Sequence, residues 1–144
     1  MSTEKRLALH AEFTAQIRLF IAGAILFNQQ VAERYRLQLT DMQCINVLDL
    51  LGPSTPGKLA ERTGLSTGGV TVMLDRLEKA GYVKREPNPA DRRSLLVRVN
   101  PKKLEKVNAS YNIINERMAE LYASTPESEL RTVMEFFKRM NSLR

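Results

Sequence analysis

The reactive side chains of this chain are too few and too scattered for catalysis, whereas its cations are crowded. One cysteine, Cys44, and one histidine, His10, stand 34 positions apart, and no serine or carboxylate motif completes a nucleophile and base. A lone histidine on a helix offers no metal pair, and no glycine-rich loop of the phosphate-cradling kind is present. No catalytic residue, metal ligand or cofactor is expected, and the chain does not read as an enzyme. Its formal charge of +6, by contrast, lies in one place. Residues 55–103 hold eleven Lys and Arg against five Asp and Glu, while the remainder holds eleven of each sign. A confined basic excess is the footprint of a polyanion, because neutralised phosphates release condensed counterions.

Two groups of residues within that segment have the types and spacing for duplex binding. Asp91, Arg92, Arg93 and Ser94 form a charged run in a polar stretch. Guanidinium groups on a projecting loop suit the negative potential of a narrow minor groove, and a neighbouring carboxylate can hold one in place. Upstream, Ala60, Gly64 and Val70 stand at positions 5, 9 and 15 of a helix-turn-helix pattern. The first must be small where helices cross, the second supplies a positive φ in the turn, and the third fills the inter-helix space with Leu59, Leu74 and Leu77. Ser66, Thr67, Gly68, Gly69, Thr71, Val72, Asp75 and Arg76 are left on or near the outer face, where the amino-terminal half of a second helix meets the major groove.

Apolar spacing supplies the elements that must hold these groups. Leu9, Phe13, Ile17, Phe20, Ala24 and Phe27 recur three and four apart, predicting a helix to about Phe27, followed by a short helix over 30–36. Thr40 with Gln43 predicts a capping box opening a helix to Leu51, stopped by Gly52 and Pro53. Thr55-Pro56 opens the next helix, which ends at Gly64, and Ser66 caps another that closes at Gly81. Residues 82–86 and 95–99 read as strands around a polar loop too long for a two-residue hairpin turn. Leu95, Val97 and Val99 share one face of the second strand. Asn100-Pro101 caps a long helix with a seam from Leu104 to Leu121, and Thr125-Pro126 opens a last one carrying Leu130, Val133, Phe137 and Met140.

The run from Leu74 to Val83, followed by Asn88-Pro89-Ala90-Asp91-Arg92-Arg93-Ser94, resembles the MarR family of winged helix-turn-helix transcriptional regulators. The likeness is most specific at the Asp-x-Arg of the wing and covers the chain as one MarR-type domain, 1–144. It implies a mostly α fold with a small antiparallel β-hairpin. Residues 1–37 and 101–144 would form a helical dimerisation region and 40–100 the winged DNA-binding region. It further implies a homodimer on a pseudo-palindromic double-stranded DNA operator, usually repressing, with Asp91 orienting Arg93 into the minor groove; Arg92 beside it is expected on a backbone phosphate. Release by a small aromatic effector follows from the same likeness, with Phe13, Ile17, Met42 and Tyr111 as the expected lining. Consecutive Gly68 and Gly69 depart from common family patterns: either they admit the backbone close to DNA, or the capped first turn tolerates them.

The alternative reading is a winged-helix module for protein contact or RNA binding. Cys44 reads as core packing on a face shared with Leu48 and Leu51 rather than as a redox sensor, since no basic residue lies close in sequence. The six methionines read as core filler. The longest apolar run, 19–27, is short of the roughly 20 residues that cross a bilayer, so no membrane partner and a cytoplasmic location are expected.

Overall fold

A computed structural model describes residues 3–143. The elements run α1 (Thr3–Arg34), α2 (Leu39–Leu51), α3 (Pro56–Thr63), α4 (Thr67–Lys79), β1 (Val83–Asn88), β2 (Asp91–Val99), α5 (Pro101–Ala109), α6 (Asn112–Ser124) and α7 (Glu127–Asn141). They fall into two compact units, one reaching Val107 and the other starting at Asn108. The mostly helical chain with one antiparallel hairpin matches the expected fold class.

In the first unit the core holds the expected Leu48, Leu59, Val70, Leu74 and Leu77, joined by Ile45, Met73 and Met42, the last of which was expected to line an effector site. Met42, Ile45 and Leu48 of α2, Leu59 of α3, and Val70, Met73, Leu74 and Leu77 of α4 are buried. Each such side chain contributes on the order of 1.5–3 kcal/mol when removed from water. Strand β2 joins this core through Val97, whose N–H and carbonyl pair with Ser54 at 2.9 and 3.1 Å in an isolated bridge. Leu95, on the same face as Val97, is exposed because the hairpin there has run past the core.

Five boundaries differ from the sequence reading. The first two predicted helices are one: the polar stretch Asn28-Gln29-Gln30 contains no helix breaker, and Gln29 donates to Glu33 one turn on at 3.3 Å. That helix ends through Arg36 at φ 56°, with the Leu37 N–H returning to the Ala32 carbonyl at 2.8 Å. The cap of α2 is Gln38 rather than Thr40, since Asp41 accepts the Gln38 N–H at 2.8 Å. The wing turn is tight: Val83–Pro87 pairs with 95–99 as expected, but Asn88 then pairs with Asp91 across a register shift. Finally, the long carboxy-terminal helix is broken between α5 and α6, where Tyr111 N–H bonds Asn108 carbonyl at 2.9 Å in an i→i+3 turn. Thr125 belongs to this end too, its hydroxyl donating back to Leu121 at 2.7 Å rather than capping α7.

The second unit consists of α6 and α7, and neither helix buries a side chain. Ile113, Leu121 and Tyr122 on α6, and Val133, Met134, Phe136 and Phe137 on α7, are exposed. So are Leu9, Phe13, Leu19, Phe20 and Ile25 of α1, which buries only Val31 and Ala32. Helix α1 as a whole is long and apolar enough, by length and composition alone, to cross a bilayer, which the 19–27 run by itself is not.

Candidate nucleic-acid interface

Local bonds set both ends of α3 and the start of α4. Thr55 accepts the Lys58 N–H at 3.3 Å at the head of α3, and Gly64, at φ 70°, closes that helix with its N–H on Ala60. Nothing lies near a Cβ built on Gly64, so its backbone conformation rather than space demands glycine. Ser66 then accepts the Gly69 N–H at 3.1 Å. A Cβ on Gly69 would press on that capping oxygen at 3.3 Å, whereas Gly68 faces open space. Close approach of the cap thus accounts for Gly69, while nothing within the chain requires glycine at position 68. Ser66, Thr67, Gly68, Thr71 and Val72 are exposed, and the Thr71 hydroxyl donates to the Thr67 carbonyl at 3.1 Å.

At the wing tip the expected residues are brought together, but the bonds differ from those expected. Asp91 Oδ1 accepts the backbone N–H of Arg93 at 2.9 Å, and no ion pair joins Asp91 to a guanidinium among the described residues. The carboxylate therefore fixes the backbone from which Arg93 projects, not the charged head. Asn88 does the same for the turn: its Oδ1 accepts Ala90 N–H at 3.0 Å and its Nδ2 donates to Ser94 Oγ at 2.8 Å. Arg92 and Arg93 are exposed. The tip presents two guanidiniums on a backbone ordered before any partner arrives.

Arg76 is not free on the outer face. Its Nε and Nη2 donate to the fully buried Asp41 at 3.1 and 2.6 Å, pinning α4 to α2. That hydrogen bond, ahead of the attraction between the charges, pushes the Arg76 pKa up, so the guanidinium stays charged. A second clamp, which sequence reasoning missed, ties the wing to α4. Arg85 of β1 donates to Glu78 through Nε at 3.0 Å and Nη2 at 2.7 Å, and to Asp75 at 2.6 Å, while its backbone N–H also reaches Glu78 at 2.9 Å. The Arg85 backbone N–H and then its guanidinium hold the Glu78 carboxyl below the usual range. The clamp is therefore present at neutral pH and is released only as pH falls through that lowered value. Across the hairpin, Arg98 pairs with Glu86. Only the length of the Asp75–Arg85 separation hid this clamp, since opposite charges ten residues apart meet only once a turn folds the strand back.

The expected effector residues stand in different settings. Met42 is sealed in the core and lines no cleft, because it packs where α2 meets its neighbours. Phe13 is exposed and Ile17 half-buried one turn further along α1, while Tyr111 lies between α5 and α6 in the second unit. Cys44 is fully buried, and burial, followed by the charge of Asp41, pushes its thiol up to about 12. It should resist a thiol-labelling reagent at pH 8 under native conditions and react fully once the chain is unfolded. Labelling of the folded chain at the rate of a free thiol would contradict that burial. No group of three or more potential metal ligands occurs among the described residues.

A sequence profile of the MarR family matches residues 37–94, the span from the α2 cap to the wing tip. The chain is 38% identical over 112 residues to the uncharacterized HTH-type transcriptional regulator YcgE of Bacillus subtilis, covering 78% of this chain and 73% of that one. Its fold is similar to that of the transcriptional regulator Tm0710 from Thermotoga maritima, with a TM-score of 0.66 at 22% identity over 92% of this chain and 94% of the other. Reduced AbfR bound to DNA is likewise similar, with a TM-score of 0.57 at 19% identity over 98% and 97% of the two chains; AbfR is from Staphylococcus epidermidis. With its capped helix-turn-helix, its clamped wing and this relationship across most of its length, the chain belongs to the MarR family of HTH-type transcriptional regulators.

Proposed function

We propose that the chain is a cytoplasmic repressor that binds pseudo-palindromic duplex operators as a homodimer and is released by a small aromatic compound. The observation that carries the DNA reading is the exposed Arg92 and Arg93 pair on a tip whose backbone is fixed by Asp91 and Asn88. It stands in the same unit as the exposed amino-terminal turns of α4, and the segment holding both carries the whole excess of positive charge. Ser66, Thr67, Gly68, Gly69, Thr71 and Val72 would face the major groove, Arg93 the minor groove and Arg92 a phosphate. Arg76, held by Asp41, serves to place α4. The DNA-bound form of AbfR lends the fold a precedent. For the homodimer, the support is the apolar surface left exposed on α1, α6 and α7, more than a lone soluble chain normally shows. Residues 1–37 and 101–144 would then form the dimerisation region and 40–100 the DNA-binding region. The exposed aromatic ring of Phe13 beside Ile17 is the place on α1 for the effector.

The wing supplies the test. Arg93→Ala should cost about 1–3 kcal/mol of operator affinity per half-site, while Arg92→Ala should weaken all duplexes alike and lower the salt slope by about one. Asp91→Asn keeps an oxygen for the Arg93 N–H and should bind nearly as the parent does, whereas Asp91→Ala should bind more weakly despite having lost a negative charge. Fluorescence anisotropy with a labelled duplex across a salt series reads all four. Tighter binding by Asp91→Ala would show the tip to be only a charged turn, and salt-dependent binding to RNA alone would favour the other winged-helix use.

A further inference from the structure

We propose that Val72 reads the 5-methyl group of thymine in the major groove, making a buried methyl contact, rather than a charged side chain, the main base-specific contact of α4. The inference rests on the duplex-binding reading above and deepens it. Val72 is 61% exposed in the middle of α4. Valine is a poor helix former, and at that exposure its burial offsets little of the cost.

Its neighbours on the helix surface isolate it further. One turn before it stand Gly68 and Gly69, which have no side chains; one turn after it stand Asp75 and Arg76, both committed elsewhere. Asp75 is bonded to Arg85 at 2.6 Å, and Arg76 to Asp41 at 2.6 and 3.1 Å. Thr71, beside it, has turned its hydroxyl to the Thr67 carbonyl, and Val70 and Met73 are buried. Val72 is thus the one exposed side chain larger than threonine in the half of the helix that enters a groove.

Major-groove chemistry then narrows what it can recognise. Guanine is read by a free Arg or Lys on O6 and N7, and adenine by Asn or Gln on N6 and N7. Residues 55–80 contain no Asn or Gln at all. The cations there are Lys58 and Arg62 on the first helix, the bound Arg76, and Lys79, about 18 Å along α4 from Thr67. What remains on the entering face is hydroxyl and hydrocarbon, and the hydrocarbon partner offered by a base edge in that groove is the thymine methyl.

The experiment uses the full chain and the tightest duplex it selects from a random-sequence pool, with each dT replaced singly by dU. Replacement at one position in each half-site should weaken binding roughly fourfold per methyl removed, while other positions stay unchanged. Val72→Ala, an exposed change that leaves the core intact, should bring that thymine-to-uracil ratio close to one without altering the salt slope. If no dU replacement weakens binding, or if Val72→Ala keeps the ratio, the inference is overturned while the DNA reading stands. Failure of the parent chain to bind any duplex at low salt would overturn both.

Discussion

Arg76→Ala is expected to destabilise the folded chain by about 3–5 kcal/mol, although the side chain it removes is 35% exposed. The reason lies with the partner. Asp41 is fully buried, and its two oxygens are served by Arg76 Nε and Nη2 and by the Gln38 N–H. Without the guanidinium, a carboxylate is stranded in the core with one amide for company. The converse change is milder: Asp41→Asn leaves a cation that reaches water and should cost about 1–2 kcal/mol, comparable to a lost charged hydrogen bond. Adding Asp41→Asn to Arg76→Ala should therefore recover part of the loss, a coupling that urea unfolding of the four chains would measure. A cost for Arg76→Ala of no more than about 0.5 kcal/mol, that of an ordinary surface change, would show the pair to be ornamental.

The second large effect concerns assembly. Val133→Glu combined with Phe137→Glu is expected to convert a dimer at micromolar concentration into a monomer and to weaken operator binding by about 10²–10⁴-fold. Both side chains are exposed on α7, one turn apart, so the charges should leave the fold of the individual chain unharmed. Affinity would fall because the second half-site is no longer tethered to the first. Sedimentation velocity checks the assembly and anisotropy the affinity, with circular dichroism confirming that the helices persist. A parent chain that sediments as a monomer would remove both the dimer and the reading of a palindromic operator.

How much of this was legible in the sequence depended on whether the signal was local. The α3 and α4 boundaries were, because Thr55-Pro56, Gly64 and Ser66 each act on amides within three or four residues. The continuity of α1 was not, since Asn28-Gln29-Gln30 interrupts the apolar spacing although nothing in it breaks a helix. The break after Ala109 was hidden for the opposite reason: the apolar seam runs on through it, and periodicity does not register a single i→i+3 turn. In the candidate interface, the exposed residues were readable from spacing, but the commitments of Arg76 and Asp75 were not. Their partners, Asp41 and Arg85, lie 35 and 10 residues away and meet them only after folding. A charge on an outer face is thus no guide to whether it is available.

The register shift in the hairpin bears on how such a protein can change its target. The ladder from Val83 to Pro87 against 95–99 carries the attachments to the rest of the unit, through Arg85 to Asp75 and Glu78 and through Val97 to Ser54. Arg92, Arg93 and Ser94 fall outside that regular pairing. Mutation at the tip can accordingly lengthen, shorten or recharge the wing without disturbing its mooring, so the reach of the wing can change while the attachments that carry it stay in place.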